Sequence, residues 1–438
     1  MLYDDVLNHI GEFGLYQKLI LFLTSLCILL SSMNVVSQVF LAGNVDHWCD
    51  TVEWKNCDCS LDENYTVSVC DELKKNLSIP LNDLGEFLQC SKYVFPPKYE
   101  EQCPDFFNLE VFNLTRYESC DGHWVYDRSL YKTSITSDFN LVCERQSLPN
   151  MAQSVYFAGI LVGVISFGTI CDKFGRRFGL FSATVATGIF GSLVAVSPEF
   201  WMYTIFRFFL GACAHSANCG AFLIVTELVG SSKRGLAGLV TNVVFAIGVA
   251  LVAVIAYFIR KWRLLQFIIT FPGFLSLVLL PVIPESPRWL YSKMKNRKAV
   301  RIIKRAAQIN GVKLSETFLE EFDSKVELSQ TQRDGKLSPL ELFRLSRIRQ
   351  RSLILLYTWF TVSLVYYGLV LSTESLGVNI YLGFLISGSV EILGYTFSVL
   401  LLDWIGPKIT IGGVLLLAGI ACFLAVILRK GYIFIICL

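Results

Sequence analysis

The sequence predicts an all-α membrane protein in which two related groups of helices form a bundle. The second group is incomplete, and one large extracellular loop is rich in disulfides. Three observations predict this class: nine long apolar runs, a charged loop that occurs twice, and a polar segment with eight of the 14 cysteines. Composition agrees, since 53% of the 438 residues are hydrophobic and 17% are charged, with a mean hydropathy of +0.52. A soluble domain carries nearer a quarter of charged residues.

The first element is a polar N-terminus, residues 1–18, which precedes the first membrane span, Leu19–Ala42. Asp4, Asp5 and Glu12 make this start unlike the basic start of a cleavable signal peptide, and the apolar run is too long for one. We therefore predict that the run over 19–42 crosses the membrane and that residues 1–18 stay on the chain.

Residues 43–150 form a cysteine-rich segment. An even number of cysteines together with N-x-S/T sequons indicates an oxidised, extracellular, glycosylated segment that is held by disulfides. A zinc site is the weaker alternative, because C-x-x-C is absent from the sequence. Eight cysteines allow about a hundred pairings, so their spacing leaves the connectivity open. The cysteines are Cys49, Cys57, Cys59, Cys70, Cys90, Cys103, Cys120 and Cys143, and the sequons start at Asn64, Asn76 and Asn113.

Two groups of spans follow this segment, one in residues 151–283 and one in residues 352–438. Between them, residues 284–351 are a charged loop with 16 Lys or Arg against 8 Asp or Glu, and residues 298–307 have helical spacing. The spans are Met151–Ile170, Phe178–Val196, Trp201–Val225, Leu236–Ile259, Leu264–Ile283, Ser352–Leu371, Tyr381–Leu402 and Ile409–Leu428, and a tenth begins in Gly431–Leu438.

The distribution of charge predicts the topology. Residues 44–148 carry 19 acidic against 9 basic side chains, whereas the 284–351 loop has an excess of cations. Short loops rich in Lys and Arg stay in the cytoplasm. Six spans separate the N-terminus from the basic loop, so we predict that both are cytoplasmic. The cysteine-rich segment is then extracellular, in a multi-pass protein of the plasma membrane.

The charged loop that occurs twice follows the second span and again the eighth. Its first copy places one acid, two glycines and three cations between two apolar runs, and its second copy repeats the acid, one glycine and the last cation 231 residues later. Such repeats are typical of secondary transporters built from two related halves. The first copy contains Gly168, Asp172, Lys173, Gly175, Arg176 and Arg177, and the second contains Asp403, Gly406 and Lys408.

The first copy of this loop resembles the signature of the major facilitator superfamily, and Arg207-x-x-x-Gly211 resembles that superfamily's second motif. Pro284–Leu290 is similar to a run shared by sugar porters and organic ion transporters. Three features resemble only the organic cation, anion and carnitine transporter family. They are the start from Asp4 to Gln17, the cysteine-rich segment with its Gly122–Asp127 and Phe139–Cys143 motifs, and Trp359-Phe360 followed by Tyr366–Leu369.

This resemblance runs from residue 4 to about 428. It implies a bundle of twelve helices in two halves, which opens alternately to each side of the membrane around a central site. The chain departs from the family by stopping in helix ten. The family's eleventh helix carries a residue that helps to set charge preference, and the predicted spans do not include it.

Charges at the cytoplasmic ends of the spans indicate a gate. Ion pairs that form in one conformation and break in another would bias an alternating-access equilibrium. We expect Asp172 to pair with Arg176, Arg177 or a helix N-terminus. Arg207, in the inner or middle part of the fourth span, should need a buried partner, with one of the gate acids as the candidate. Besides the two loops, the predicted gate residues are Arg207, Glu227, Arg234, Glu285 and Arg288.

Polar and aromatic side chains inside the spans indicate a substrate cavity. Glu391 lies in mid-span, where an ionised group usually faces a cavity or a partner, and the resemblance places it at a position that is acidic in many cation carriers. Aromatic faces suit organic cations, and amides can bond a ligand or another helix. A structural partner for Glu391 and helix packing for the aromatic residues are the alternatives. The candidates are Glu391, Trp359, Tyr366, Tyr367, Asn242, Asn218 and Asn34.

Together these features favour a secondary-active or facilitative transporter of small organic ions, whether cations, zwitterions such as carnitine, or anions. A truncated chain that does not transport is the alternative. The sequence has no catalytic constellation and no glycine loop followed by Lys-Ser/Thr, so neither an enzyme nor ATP-driven transport is indicated. No cofactor, metal or nucleic acid is expected. The expected partners are a small organic ion, the lipid bilayer and a coupling or exchange ion, and the oligomeric state is not indicated.

Overall fold

Long helices dominate the computed structural model, which describes residues 2–43, 45–50, 75–76, 78–82, 85, 87–94, 116–315, 322, 346–372 and 379–427. The helices are α1 (Leu2–Ile10), α2 (Leu15–Leu41), α3 (Ile135–Asp138), α4 (Leu148–Phe174), α5 (Arg176–Val196), α6 (Phe200–Leu228), α7 (Arg234–Phe258), α8 (Trp262–Thr270), α9 (Pro272–Leu279), α10 (Pro287–Ser292), α11 (Asn296–Ile309), α12 (Ser346–Ser372), α13 (Ile380–Ile405) and α14 (Pro407–Ile427). The strands are β1 (His47–Cys49), β2 (Ser91–Tyr93), β3 (Tyr117–Ser119) and β4 (Trp124–Tyr126).

Eight of the described helices are long and apolar enough to cross a membrane. They correspond to the first five predicted spans and to the seventh, eighth and ninth. The sixth predicted span, Leu264–Ile283, is divided between α8 and α9. Pro272 explains the division, because proline has no N–H to donate and its ring clashes with the carbonyl four residues earlier. The predicted tenth span, in 431–438, lies outside the described residues.

Small residues bring the spanning helices together. A Cβ at Gly159 or Gly163 of α4 would overlap the backbone of α6, and one at Gly211 of α6 would overlap the backbone of α4. Helices in a membrane gain much of their association energy from such close packing, since the lipid offers no hydrophobic drive. The glycines therefore fix the α4–α6 distance.

The short helix α1 packs at one end of the bundle, which we call the α1 end. Val6, Leu7 and Ile10 form its buried face, at the spacing of a helix with one apolar side. They join one hydrophobic cluster with Ile303 and Ala306 of α11. The spanning helices α2, α5 and α7 start at this end, while α4 and α6 finish there.

Helix α13 belongs to the second half and packs along α7 of the first. Gly388 permits this, since a Cβ there would lie 2.9 Å from the Ala250 Cβ atom. Phe40 of α2 also stacks on Tyr381 of α13, with ring centroids 5.9 Å apart. The two halves therefore touch through these side chains.

The described chain divides into two compact units. The helical unit contains residues 1–40, 153–259 and 263–438, and the other contains Leu41–Ala152 with Arg260–Trp262. In the second unit, β1 pairs antiparallel with β4, and β2 pairs antiparallel with β3. Trp262 is 1% exposed there, and its indole N–H donates to Asp138 Oδ2 at 2.8 Å.

Among its described residues, this second unit contains the disulfides Cys49–Cys120 and Cys90–Cys143. They supply the part of the connectivity that involves these four cysteines, which the spacing left open. Burial lowers the pKa of His47 and raises the pKa of Tyr126 to about 12, so both rings remain neutral at physiological pH. Asn76 is exposed, as a glycosylation site requires. Cys57, Cys59, Cys70, Cys103, Asn64 and Asn113 lie outside the described residues.

Candidate functional site

The middle of α12 and α13 brings Glu391 and Tyr366 together. Glu391 is half-buried near the centre of α13, and the hydroxyl of Tyr366 lies beside its carboxylate. Glu391 Oε2 has no hydrogen-bond partner among the described residues. A carboxylate with an unsatisfied oxygen at mid-helix depth can accept a cation or a ligand N–H or O–H. The Tyr366 hydroxyl can turn to donate to a ligand or to Glu391.

Aromatic rings extend from this pair to the first half. The rings of Tyr366 and Tyr367 lie edge to face at 5.2 Å, and Tyr367 packs on Phe157 of α4 at 4.6 Å. Trp359, two turns before Tyr366, is 70% exposed. Residues seven apart lie on one face of a helix, about 10 Å from each other. Trp359 and Tyr366 therefore lie on one face of α12, and a ligand shared by these two and Glu391 stays a prediction.

The three candidate asparagines differ in their surroundings. Asn34 is fully buried, donates to the Leu30 carbonyl oxygen at 2.8 Å and accepts from Gln266 Nε2 at 3.2 Å. The bond from Gln266 joins α8 to α2, which is the helix-bonding alternative for an intramembrane amide. Asn218 is half-buried on α6, and Asn242 is exposed on α7. Ligand contact by all three stays a prediction.

Several of the predicted gate residues meet at the α1 end. The Arg176 guanidinium donates to Glu227 Oε1 from Nη2 at 3.1 Å and from Nε at 3.2 Å, and both side chains are mostly buried. Arg176 Nη1 also donates to Asp172 Oδ1 at 2.8 Å, although that carboxylate is 76% exposed. Arg176 thus links the start of α5 to the ends of α4 and α6. The expected Asp172–Arg176 pair is present.

Glu285 closes the same end from the segment after α9. Its Oε1 accepts three backbone N–H groups, from Arg176 at 2.8 Å, Arg177 at 3.2 Å and Ser286 at 3.0 Å. The first N–H groups of α5 have no partner within the helix, and this carboxylate accepts their hydrogen bonds. The positive end of the helix dipole also stabilises the negative charge at this position. Gly175 makes room, since its φ of +111° excludes most side chains and a Cβ would overlap Glu285.

Three comparisons with known proteins bear on this arrangement. The family model for sugar (and other) transporters matches residues 101–438. The organic cation transporter protein of Drosophila melanogaster is 36% identical over 424 residues, which cover 96% of this chain and 74% of that protein. Solute carrier family 22 member 2 of Rattus norvegicus is 34% identical over 436 residues, covering 97% of this chain and 75% of the relative. The chain belongs to the organic ion transporters of solute carrier family 22.

Solved structures show the fold of this family. The partially occluded, inward-open xylose transporter XylE of E. coli superposes with a TM-score of 0.57 at 16% identity, over 96% of this chain and 82% of that one. XylE bound to 6-bromo-6-deoxy-D-glucose superposes with a TM-score of 0.54 at 17% identity, over 89% of this chain and 70% of that one. The major facilitator fold is therefore confirmed. The chain is a multi-pass membrane transporter of small organic ions, and the comparisons do not support the non-transporting alternative.

Arg207 has the buried partner that the sequence led us to expect, but the prediction that a gate acid supplies it is wrong. Arg207 is fully buried near the start of α6, far from Glu227 at the other end of the same helix. Twenty helical residues separate these two by about 30 Å. The described part of the chain places no acid beside Arg207. Arg207 Nη1 donates to Ser37 Oγ at 3.1 Å, and the Arg207 Cζ atom lies 4.7 Å from the centre of the Tyr156 ring.

This correction has a physical reason. Successive spans run in opposite directions, so α6 starts at the end opposite to α1, and a residue two turns into it lies there. A buried guanidinium can be stabilised by hydroxyl dipoles and an aromatic face instead of a carboxylate. Arg207 therefore belongs to the packing of α2, α4 and α6, and a gate role for it stays a prediction.

Arg234 and the N-terminal motif meet at the α1 end as well. Arg234 Nη2 lies 2.5 Å from Asp4 Oδ1, and its Nε donates to the Thr226 carbonyl oxygen at 3.1 Å. Glu12 accepts from Ser232 Oγ, and its carbonyl oxygen accepts from the Gly230 N–H at 3.1 Å. The start of the chain is thereby tied to the turn between α6 and α7.

Asn310 completes this attachment, and the sequence analysis did not predict its role. It directly follows α11, donates to the Ile10 carbonyl oxygen at 2.8 Å and to Gln17 Oε1 at 3.0 Å, and accepts the Tyr16 N–H at 2.8 Å. A Cβ at Gly14 would overlap its side chain. The Asn-Gly pair after the basic run is a helix stop signal, but nothing local indicates its distant partners.

The remaining gate candidates have looser surroundings. Lys173 Nζ lies 5.4 Å from the Phe174 ring centre, Arg177 Nη2 donates to the Pro281 carbonyl oxygen at 3.0 Å, and Arg288 is exposed. A Cβ at Gly168 would meet no atom within 4 Å. In the second loop Gly406 has a φ of +90° and Lys408 is exposed, while the side chain of Asp403 lies outside the described part.

Proposed function

We propose that this transporter carries small organic cations and that Glu391 provides the charge that selects them. The observation that carries the proposal is the half-buried Glu391 carboxylate beside the Tyr366 hydroxyl, with one oxygen unsatisfied. An unpaired carboxylate in this position favours a ligand that brings its own positive charge, because the ligand then offsets the cost of desolvating the acid. The relative named organic cation transporter protein supports the same class.

The aromatic rings support a quaternary or protonated amine over a metal ion. Trp359 and Tyr366 lie on one face of α12. Aromatic faces attract alkylated ammonium groups, which are weakly hydrated and therefore lose little when they leave water. The proposed site therefore pairs one acid with a ring face. It binds the charge through Glu391 and the apolar substituents through the rings.

For the movement, we propose that the α1 end is cytoplasmic, in the plasma membrane, and that its ion pairs open and close during transport. The excess of basic side chains in 284–351 supports this orientation. Asp172 and Arg176 join neighbouring helices at their ends, where a small change of helix position makes or breaks an ion pair. A coupling or exchange ion belongs to the same proposal.

The test is uptake of a radiolabelled quaternary ammonium compound and of an organic anion into cells that express this chain. Glu391→Gln should lower cation uptake about tenfold or more, because a charge-assisted contact is worth roughly 1.5–3 kcal/mol. Anion uptake should change less than twofold. Surface biotinylation corrects for the amount of transporter at the cell surface.

Glu199→Gln is the matched control, because it makes the same chemical change at an exposed residue just before α6. It should leave both uptakes unchanged. Equal loss of cation and anion uptake in Glu391→Gln would remove charge selection and leave Glu391 a structural role. Uptake of the anion alone by the unaltered chain would overturn the cation proposal itself.

A further inference from the structure

A cavity of about 440 Å³ lies at the α1 end, and Glu391 is not among the residues that line it. Its walls come from the start of α2, the end of α4, the segment 281–285 after α9, and one face of α11. These elements meet where the spanning helices end. The cavity therefore lies at the boundary between the apolar and the polar parts of the molecule.

The polar wall of this cavity is strongly cationic. The residues from α11 are spaced three and four apart, so they share one helix face. On the opposite face, Ala299, Ile303 and Ala306 are buried in the core. The cations that line the cavity are Arg177, Lys295, Lys298, Arg301 and Arg305, and the one carboxylate is Glu285.

Among the residues that the structure describes, no free carboxylate neutralises these cations. Glu285 is already occupied by three backbone N–H groups. Lys298, Arg301 and Arg305 are exposed, and no carboxylate of the described chain forms an ion pair with them. Like charges held close on one face repel each other, so a bound anion would stabilise the arrangement.

The other wall is apolar and continues onto the outside of the bundle. Leu19, Phe174 and Val282 line the cavity and are 44%, 55% and 49% exposed. Leu19 and Phe174 lie at the ends of helices that cross the membrane. Large exposed apolar side chains in this position face acyl chains. A ligand that fits both walls has an anionic head and an apolar tail.

We infer that this cavity binds the headgroup of an anionic phospholipid, with its phosphate against Arg301 and Arg305 and its acyl chains along Leu19 and Phe174. Clusters of Lys and Arg beside membrane helices attract anionic lipids by about 1 kcal/mol for each cation. The lipid would join α11 to the ends of α2 and α4. This inference is independent of the substrate, so its test needs no transport measurement.

The test is binding of dioleoylphosphatidylserine to the purified full chain in detergent, measured by native mass spectrometry. Dioleoylphosphatidylcholine serves as the neutral lipid and glycerophosphoserine as the soluble headgroup. Arg301→Gln with Arg305→Gln should weaken phosphatidylserine binding roughly 30-fold, as expected for the loss of two cations. If this double variant is not monodisperse, Lys298→Gln repeats the test with one exposed cation and an expected loss of about fivefold.

The matched control is Lys293→Gln with Arg297→Gln. It removes two exposed cations from the same segment, but neither lines the cavity. Binding within twofold of the unaltered chain is expected. An equal loss in both double variants would show general attraction to a basic surface and overturn the site. The site would also be overturned if phosphatidylcholine bound as tightly as phosphatidylserine. The same holds if glycerophosphoserine, which has no acyl chains, bound as tightly as phosphatidylserine.

Discussion

The two copies of the charged loop have the same backbone and different surroundings. Gly175 has φ and ψ of 111° and 157°, and Gly406 has 90° and 159°. Around Gly175, side chains from four segments converge, including Glu227, Glu285 and Trp289. The indole N–H of Trp289 donates to the Asp172 carbonyl oxygen at 3.0 Å. Around Gly406, a Cβ would meet nothing within 4 Å and Trp404 is 85% exposed.

This difference separates two roles of the motif. Glycine alone is sufficient for the tight turn between antiparallel helices, because both copies adopt it. Asp172 and Arg176 pair within the first copy, but the contacts with Glu227 and Glu285 require the end of α6 and the segment before α10. The repeat in sequence therefore predicts the shared turn, whereas the contacts that join the loop to other segments depend on residues that the repeat does not contain.

The largest expected effect is the loss of the buried pair of the first loop. Glu227→Gln should cost about 3 kcal/mol of stability, because it leaves the Arg176 guanidinium buried without its main counter-charge. The corresponding charge removal in the second loop, Lys408→Gln, should change stability by less than about 0.5 kcal/mol, since Lys408 is exposed. The melting temperature of the purified protein in detergent measures both.

A double variant tests whether the cost comes from the unpaired charge. Arg176→Met combined with Glu227→Leu should recover part of the stability that Glu227→Gln loses, because no lone charge remains buried. A double variant less stable than Glu227→Gln alone would contradict this explanation and point to the hydrogen bonds of Arg176 with the end of α4.

Alanine at the two glycines gives the next largest difference. Both backbones lie in a region that glycine almost alone adopts, so each Gly→Ala change should cost about 1–3 kcal/mol. Gly175→Ala should cost more than Gly406→Ala, since only the first displaces Glu285 from the start of α5. Melting temperatures again provide the measurement, and equal shifts would mean that Glu285 contributes little to stability.

Among the changes in the first loop, Asp172 has the smallest expected effect on stability. Its carboxylate is 76% exposed, so Asp172→Asn should change stability by less than about 1 kcal/mol. If the pair with Arg176 serves the gate, maximal uptake should fall several-fold while the half-saturating substrate concentration stays the same. A change in that concentration alone, with maximal uptake intact, would place Asp172 at substrate binding and not at the gate.

The sequence predicted what depends on local pattern. Apolar length located the spans, and glycine with charge located the loop. Hydropathy did not indicate the break before Pro272, because both sides of that residue are equally apolar, although the proline itself is a signal for a helix to end. The sequence misplaced Arg207, because hydropathy gives no partner for a buried cation. Asn310 was missed because its partners, Ile10, Tyr16 and Gln17, are about 300 residues away.

The Asn310 contacts also bear on the order in which the chain folds during synthesis. Residues 294 positions apart meet in the Tyr16–Asn310 bond, so this attachment of the N-terminal segment cannot form until Asn310 has left the ribosome. At about 5–20 residues per second, this delay is roughly 15–60 seconds. During that time the apolar face of α1 lacks its contacts with Ile303 and Ala306 of α11. It is then exposed to chaperones or to the membrane surface, and the first half reaches its final form only when its start and its end are joined.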